Sequence, residues 1–173
     1  MKKITTVLGI MGFFSTAYMN AAYTAEIQAD LTQPPPCLND DGSTLAQNDN
    51  QVISWETTTR NQFLARAHVV GQIENIYANE TGHAHFSIGL GNGHSTLEVI
   101  YNLSFGELPR LTPGMNVEAC GDYITSNAAA GGYQASPDGA IIHWIHKSDN
   151  EKHKSGYLSI NGVTYGLLNG HGN

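Results

Sequence analysis

The stretch that decides the fold is residues 83–101, which read His-Ala-His-Phe-Ser-Ile-Gly-Leu-Gly-Asn-Gly-His-Ser-Thr-Leu-Glu-Val-Ile-Tyr. Side chains of a strand alternate between its two faces, so the first half places three apolar residues on one face. These residues are Phe86, Ile88 and Leu90. The Gly91-Asn-Gly93 segment is typical of a hairpin turn, and a second strand is expected over 95–101. The stretch therefore predicts a β-hairpin.

Strand patterns continue on both sides of this hairpin. Residues 67–77 alternate between apolar and polar, with a β-bulge expected at Gly71. A short helical turn is expected at 103–108, and further strands at 117–124 and 140–146. Three strands, a helical connection and two more strands are the order of a Greek-key OB-fold. The prediction is a mainly β protein: a small, five-stranded OB-like barrel with a short helix and an irregular N-terminal tail.

The chain length fits a single domain. Residues 55–166 are expected to form the barrel, including a short helix at 55–65 and a closing hairpin at 157–165. Residues 26–54 are predicted to be an irregular tail, because their triple proline excludes a helix. Residues 167–173 are expected to form a flexible C-terminus.

Residues 1–25 resemble a secretory signal peptide. Lys2 and Lys3 precede an apolar run without charges that is too short to span a bilayer comfortably. The protein is thus expected to be exported to the periplasm or secreted, without a membrane anchor, as a monomer. Loss of the two lysines takes the net charge from -7 to -9. Such acidity argues against non-specific binding to nucleic acids.

Cys37 and Cys120 are the only cysteines of the chain. In an oxidising compartment they are expected to form a disulfide that attaches the tail to the barrel. The loop entropy of this link would be worth about 4 kcal/mol at most. The alternative is a pair of buried free thiols.

Three histidines lie within one short segment: His143, His146 and His153, beside Trp144 and Asp149. Neutral imidazole is the commonest metal ligand in proteins and titrates near neutral pH. On a continuous strand, however, His143 and His146 would point to opposite faces. The two rings can share a site only if the strand ends or bulges near Ile145.

A second pair, His83 and His85, lies on one face of the predicted second strand, with Cα atoms about 6 to 7 Å apart. Zinc takes three or four nitrogen, sulfur or oxygen ligands. One hypothesis is a zinc site, or a copper or nickel site, made by His83 with two or three of His143, His146 and His153. Asp149 or Glu151 would be a last ligand or would hold an imidazole ring in one tautomer.

The segment 139–146, which reads Gly-Ala-Ile-Ile-His-Trp-Ile-His, followed by His153 and by 161–165, resembles the bacterial exported family DUF3465. That family typically shows Gly-Gly-Val-Ile-His-Trp-Thr-His-His-Asp-Pro. Here Lys-Ser-Asp149 replaces the His-Asp-Pro ending. The resemblance covers about residues 66–165 and implies an OB-like fold, but it names no reaction.

Two further elements of the family match this chain. Its Arg-His-Gln-Arg-Phe element resembles residues 82–86, so His83 carries over and His85 replaces an arginine. Its His-Asn-Ile-Asp-Leu run resembles residues 101–105, so the resemblance adds Asn102 to the candidate site residues.

The sequence is compatible with three functions. The first is a small exported binding protein, with an unknown ligand or protein partner, whose histidine-rich site holds a transition metal. The second is a metal-dependent phosphodiesterase or nuclease-like hydrolase, in which a metal activates water and an imidazole takes its proton. The third is a non-catalytic interaction protein whose histidines form a hydrogen-bonded structural corner.

Overall fold

A computed structural model describes residues 33–91, 93–148 and 152–170. Its regular elements follow in chain order: helix α1 Asp49–Thr58, β1 Leu64–Ile76, β2 His83–Gly89, β3 Thr96–Asn102, a 3-10 turn Leu103–Phe105, β4 Asn116–Thr125, β5 Ala140–His143, β6 Tyr157–Ile160 and β7 Val163–Tyr165. The predicted signal peptide lies outside the described residues. Among the described residues, no helix has the length and apolarity needed to cross a bilayer.

Five of the strands form a closed barrel. Their order is β1-β2-β3-β5-β4, and a long antiparallel pairing of β4 with β1 closes it. The β3–β5 pair is parallel and the remaining barrel pairs are antiparallel. This is the predicted Greek-key barrel, and the closing hairpin is also present as β6 and β7. Strands β5 and β6 both pair with the same edge of β4, one after the other along that strand.

The barrel interior is filled by the alternate residues of its strands. Phe86, Ile88 and Leu90 are at most 2 % exposed, so the face predicted from the hairpin faces the core. The core also takes Val99 and Ile142, which lie side by side in the parallel β3–β5 pair. Since every second residue points inward, the intervening residues of β2, β3, β4 and β5 form the outer surface of the barrel.

The helix lies earlier in the chain than predicted. It spans Asp49–Thr58 instead of 55–65, and it begins inside the segment that was expected to be irregular. The threonine run ends the helix, because the Thr58 and Thr59 hydroxyls donate to carbonyls one turn back. Trp55 packs on Phe63 and Tyr123, so α1 covers one end of the barrel.

The bulge predicted at Gly71 is also misplaced. Gly71 pairs regularly with Val117, and the irregularity in the β1–β2 pairing lies between Ile73 and Asn75. A Cβ atom at position 71 would lie less than 3.0 Å from the carbonyl oxygen of Gly89. Gly71 therefore permits a close approach of two backbones rather than a bulge.

The cysteines form the predicted disulfide. Cys37 and Cys120 are bonded with their Cα atoms 5.6 Å apart, and both are buried. Residues 38 and 44 form a short bridge, and the tail runs over the outside of β1, where the Asn48 side chain accepts from the His68 amide. The bond therefore attaches the tail to β4.

Glu56, on α1, carries a buried carboxyl oxygen with no hydrogen-bond partner among the described residues. The pKa of this carboxyl is raised to about 7, mainly by burial. A hydrogen bond with the Ser95 side chain lowers the pKa, and the negative charge of Asp138 raises it by a smaller amount. The pKa in the folded state thus lies above the ordinary value of 4.5 for this carboxyl. Protonated Glu56 favours folding below pH 4.5, and this contribution is lost as the pH rises toward 7.

We expect Glu56→Gln to be more stable than the wild type at pH 8 by about 1 to 2 kcal/mol. The effect is no larger because the Glu56 carboxyl is partly exposed, so solvent screens its charge. At pH 4 the two proteins should have nearly equal unfolding free energies, because Glu56 is then neutral. Urea unfolding at both pH values measures the difference. A difference between the two proteins that does not change with pH would contradict the assignment.

Candidate functional site: a histidine-lined face of the barrel

The strand that carries His143 ends there, and the next residue turns the chain. Trp144 has a φ of +55°, in the left-handed region that is unfavourable for a bulky side chain. After this turn Ile145 enters the core with no exposed surface, and His146 follows it. The break that His143 and His146 need in order to share a site is present, one residue before Ile145. The strand predicted over 140–146 is therefore shorter, Ala140–His143.

The rings of His83 and His143 lie next to each other on the outer surface of the barrel. Their centroids are 5.7 Å apart and the ring planes meet at 65°. His85 is two residues further along β2, with its ring 6.4 Å from that of His83. In OB barrels the face of the second and third strands is a usual ligand-binding surface. The structure thus brings together histidines from β2 and β5.

The ring of Trp144 contacts three histidine rings, those of His143, His146 and His153. The ring of His153 stacks on it with centroids 3.9 Å apart and planes within 10°. The rings of His143 and His146 lie tilted against it, at 5.3 and 5.7 Å. His146 also stacks on Phe105 at 3.6 Å. We call these five histidines together with Trp144 the histidine face: His83, His85, His143, Trp144, His146 and His153.

Four rings of the histidine face are held in the same way. Each has its Nδ1 within hydrogen-bond distance of an oxygen that can only accept, so in the neutral ring Nδ1 carries the proton. The lone pair is then on Nε2, which is the arrangement found in metal-binding histidines. The pairs are His83 with the Thr81 carbonyl at 3.0 Å, His85 with Glu98 at 2.8 Å, His146 with the Lys147 carbonyl at 2.8 Å, and His153 with Asp122 at 2.7 Å.

His143 is the fifth ring of the histidine face. Its pKa is lowered to about 4, mainly by burial and also by the neighbouring His83 and His146, whereas Asp122 raises it. The ring is therefore neutral at pH 7. Asp122 is paired with His143 in the β4–β5 register, which places its carboxylate beside this ring.

Of the predicted metal ligands, His83 and His143 have their rings in contact, and the ring of His85 lies next to that of His83. His146 and His153 each contact Trp144. Asp149 and Glu151 lie outside the described residues. Within the described part of the chain, no group of three or more His, Cys, Asp or Glu side chains is arranged to hold a metal ion.

Asn102 has a local role at the end of β3. Its side chain accepts from the Ser104 amide and so caps the 3-10 turn that carries Phe105. It is also the register partner of His83. The residue therefore positions the segment that stacks on His146.

Three charged residues of the site were not predicted: Arg66, Glu98 and Asp122. All are 5 to 6 % exposed, and Arg66 pairs with Asp122 at 2.7 Å. Each occupies an outward position of its strand, where a charged residue is ordinarily solvated. The sequence does contain one feature that could have indicated Asp122 as a site residue: it is the single charged residue in the run Ala119–Thr125.

Comparison with protein families matches residues 43–166 to the family described as a protein of unknown function, DUF3465. None of the curated proteins compared is similar to the chain. The matched range contains all seven strands, α1 and the whole histidine face. The chain belongs to the DUF3465 family.

Proposed function

We propose that this chain is an exported binding protein whose histidine face holds a transition-metal ion, zinc in the simplest case. The observation that carries the proposal is that Nδ1 of His83 and of His85 is held by an oxygen that can only accept, so the lone pair of each neutral ring lies on Nε2. Export is supported by the buried disulfide, since such bonds persist in oxidising compartments.

His83 and His143 are the proposed first two ligands. In a tetrahedral zinc site with Zn–N bonds of 2.0 to 2.1 Å, two imidazole centroids are about 5 Å apart. The observed separation of 5.7 Å is close to this value. Because His143 is neutral at pH 7, no proton has to leave it before it binds a metal.

His85 is the proposed third ligand. Its ring is 6.4 Å from that of His83, so it must approach by about 1 Å to meet tetrahedral zinc. Its Nδ1 is held by the Glu98 carboxylate, and this pairing makes an imidazole a better metal ligand. Metal binding therefore includes a small adjustment of side chains around His83.

Zinc titration of the purified, metal-free protein tests the proposal. We expect one equivalent to bind with a Kd in the micromolar range or below, and His143→Ala to weaken binding at least tenfold, because it removes a central ligand. His94→Ala is the matched control: His94 is exposed in the β2–β3 connection, at the other end of these strands from His83. Calorimetry and elemental analysis are the measurements. The proposal is wrong if zinc binds no tighter than 100 µM, or equally well to wild type and His143→Ala.

One observation favours hydrolysis as a second candidate function. The Asp122 carboxylate holds Nδ1 of His153, and a ring held in this way can take a proton from water at Nε2. With a metal to activate that water, phosphodiester hydrolysis is the corresponding reaction. Turnover of a simple phosphodiester by the zinc-loaded protein, lost in His153→Gln, distinguishes this candidate from binding alone.

A further inference from the structure

Arg66 is a buried cation that contacts three separate parts of the chain. It is 6 % exposed, and its guanidinium donates to the Asp122 carboxylate at 2.7 Å and to the Ser155 carbonyl at 3.0 Å. Its Nε donates to the carbonyl of Leu38 at 3.1 Å, in the N-terminal tail. The one guanidinium therefore links β4, the segment before β6 and the tail.

Asp122 carries this linkage to the histidine face. One of its carboxylate oxygens accepts from Arg66 and the other from Nδ1 of His153, both at 2.7 Å. The carboxylate cannot rotate without losing one of two charge-assisted hydrogen bonds. As a result, the plane of the His153 ring is set both by Asp122 and by the stack on Trp144.

The disulfide holds the tail in this arrangement. Leu38 follows Cys37 directly, and Cys37 is bonded to Cys120, which shares the outward face of β4 with Asp122. Nη2 of Arg66 lies 3.3 Å from the Cys120 sulfur. The covalent bond thus places the Leu38 carbonyl beside the guanidinium that holds Asp122.

We propose that Arg66 and the disulfide-bonded tail are the positioning elements of His153, acting through Asp122. Arg66 orients the carboxylate, the carboxylate sets the tautomer of His153, and the tail fixes Arg66. Any effect of this positioning on metal binding rests on the proposed function. The orientation of His153 by Asp122 and Arg66 does not depend on metal binding.

The tautomer of His153 reports on this chain of contacts directly. In the wild type Nδ1 must donate, because both Asp122 oxygens only accept. In Asp122→Asn the amide oxygen is expected to face Arg66, which only donates, so the amide NH2 faces His153. Nδ1 of His153 must then accept, and the proton moves to Nε2.

Long-range 1H–15N spectra of histidine-labelled, metal-free protein at pH 8 measure this change. The signal is assigned by its absence in His153→Gln. We expect the Nδ1–H tautomer in the wild type, with ring protons shifted upfield by the stack on Trp144. Asp122→Asn should convert it to the Nε2–H tautomer and leave the signal of exposed His94 unchanged.

The role of the tail is tested by the double variant Cys37→Ala/Cys120→Ala, which removes the bond without leaving thiols that bind metal. We expect the upfield shift of His153 to shrink by at least half and the two tautomers to average. Leu97→Ala, a core change at the start of β3, is the control for general destabilisation and should retain the wild-type His153 signal.

Any one of three results would overturn the inference. The first is an unchanged Nδ1–H tautomer in Asp122→Asn. The second is a double cysteine variant whose His153 signal matches the wild type. The third is a Leu97→Ala protein whose His153 signal changes as much as that of the double cysteine variant. Since no metal is added, none of these outcomes depends on whether the protein binds zinc.

Discussion

Replacing Arg66 by methionine is expected to lower the free energy of unfolding by about 3 to 5 kcal/mol, the usual cost of removing one partner from a buried ion pair. The cost comes from Asp122, which is 5 % exposed and would lose its cationic partner while staying buried. The carbonyls of Leu38 and Ser155 also lose their donor. The change should therefore destabilise the barrel and the attached tail together.

Urea unfolding at pH 7 measures this effect. Arg110→Met is the matched control, since Arg110 is exposed and its loss should change stability by no more than about 0.5 kcal/mol. The double variant Arg66→Met/Asp122→Asn removes both charges and should recover a substantial part of the loss. A loss below about 1 kcal/mol for Arg66→Met would show that Asp122 is not a buried, uncompensated charge in the variant.

The second large effect is expected at Gly156, which lies between two backbones. A Cβ atom at this position would lie less than 3.0 Å from the carbonyl oxygens of Cys120 and Trp144. Neither carbonyl can move as a flexible side chain would. We expect Gly156→Ala to cost at least about 2 kcal/mol in unfolding free energy, as for overpacked sites.

The same substitution should disturb the histidine face, because it pushes on the backbone of Trp144. The ring stack of Trp144 with His153 is expected to open, with a change in tryptophan fluorescence. Gly91→Ala is the control: its Cβ would meet no atom within 4 Å. If both alanine variants unfold at the same urea concentration, the close packing at Gly156 does not limit stability.

The barrel strands could be predicted because they depend on local alternation. Phe86, Ile88 and Leu90 repeat at the period of a strand, and that period alone places all three in the core. The helix was misplaced for the opposite reason. Its position depends on how Trp55 packs against Phe63 and Tyr123, and Tyr123 is distant in the sequence.

The site was predictable only in part. That His83 and His85 share a face follows from strand geometry, and the need for a break after His143 follows from the same rule. The meeting of His83 with His143 depends on strand order, since β2 and β5 are both neighbours of β3. The Nδ1 partners of the rings could not be predicted, because a hydrogen bond depends on positions accurate to a few tenths of an ångström.

By itself, the sequence determined the barrel, its closing hairpin, the cysteine pairing and the histidines that lie near one another on their strands. These are consequences of side-chain period and of having only two cysteines. The tertiary structure decided which side chains meet. Arg66 and Asp122, 56 residues apart, become a buried pair only because β1 closes the barrel against β4. The same pairing brings the tail and Asp122 together, so the orientation of His153 is a property of the closed barrel rather than of its own segment.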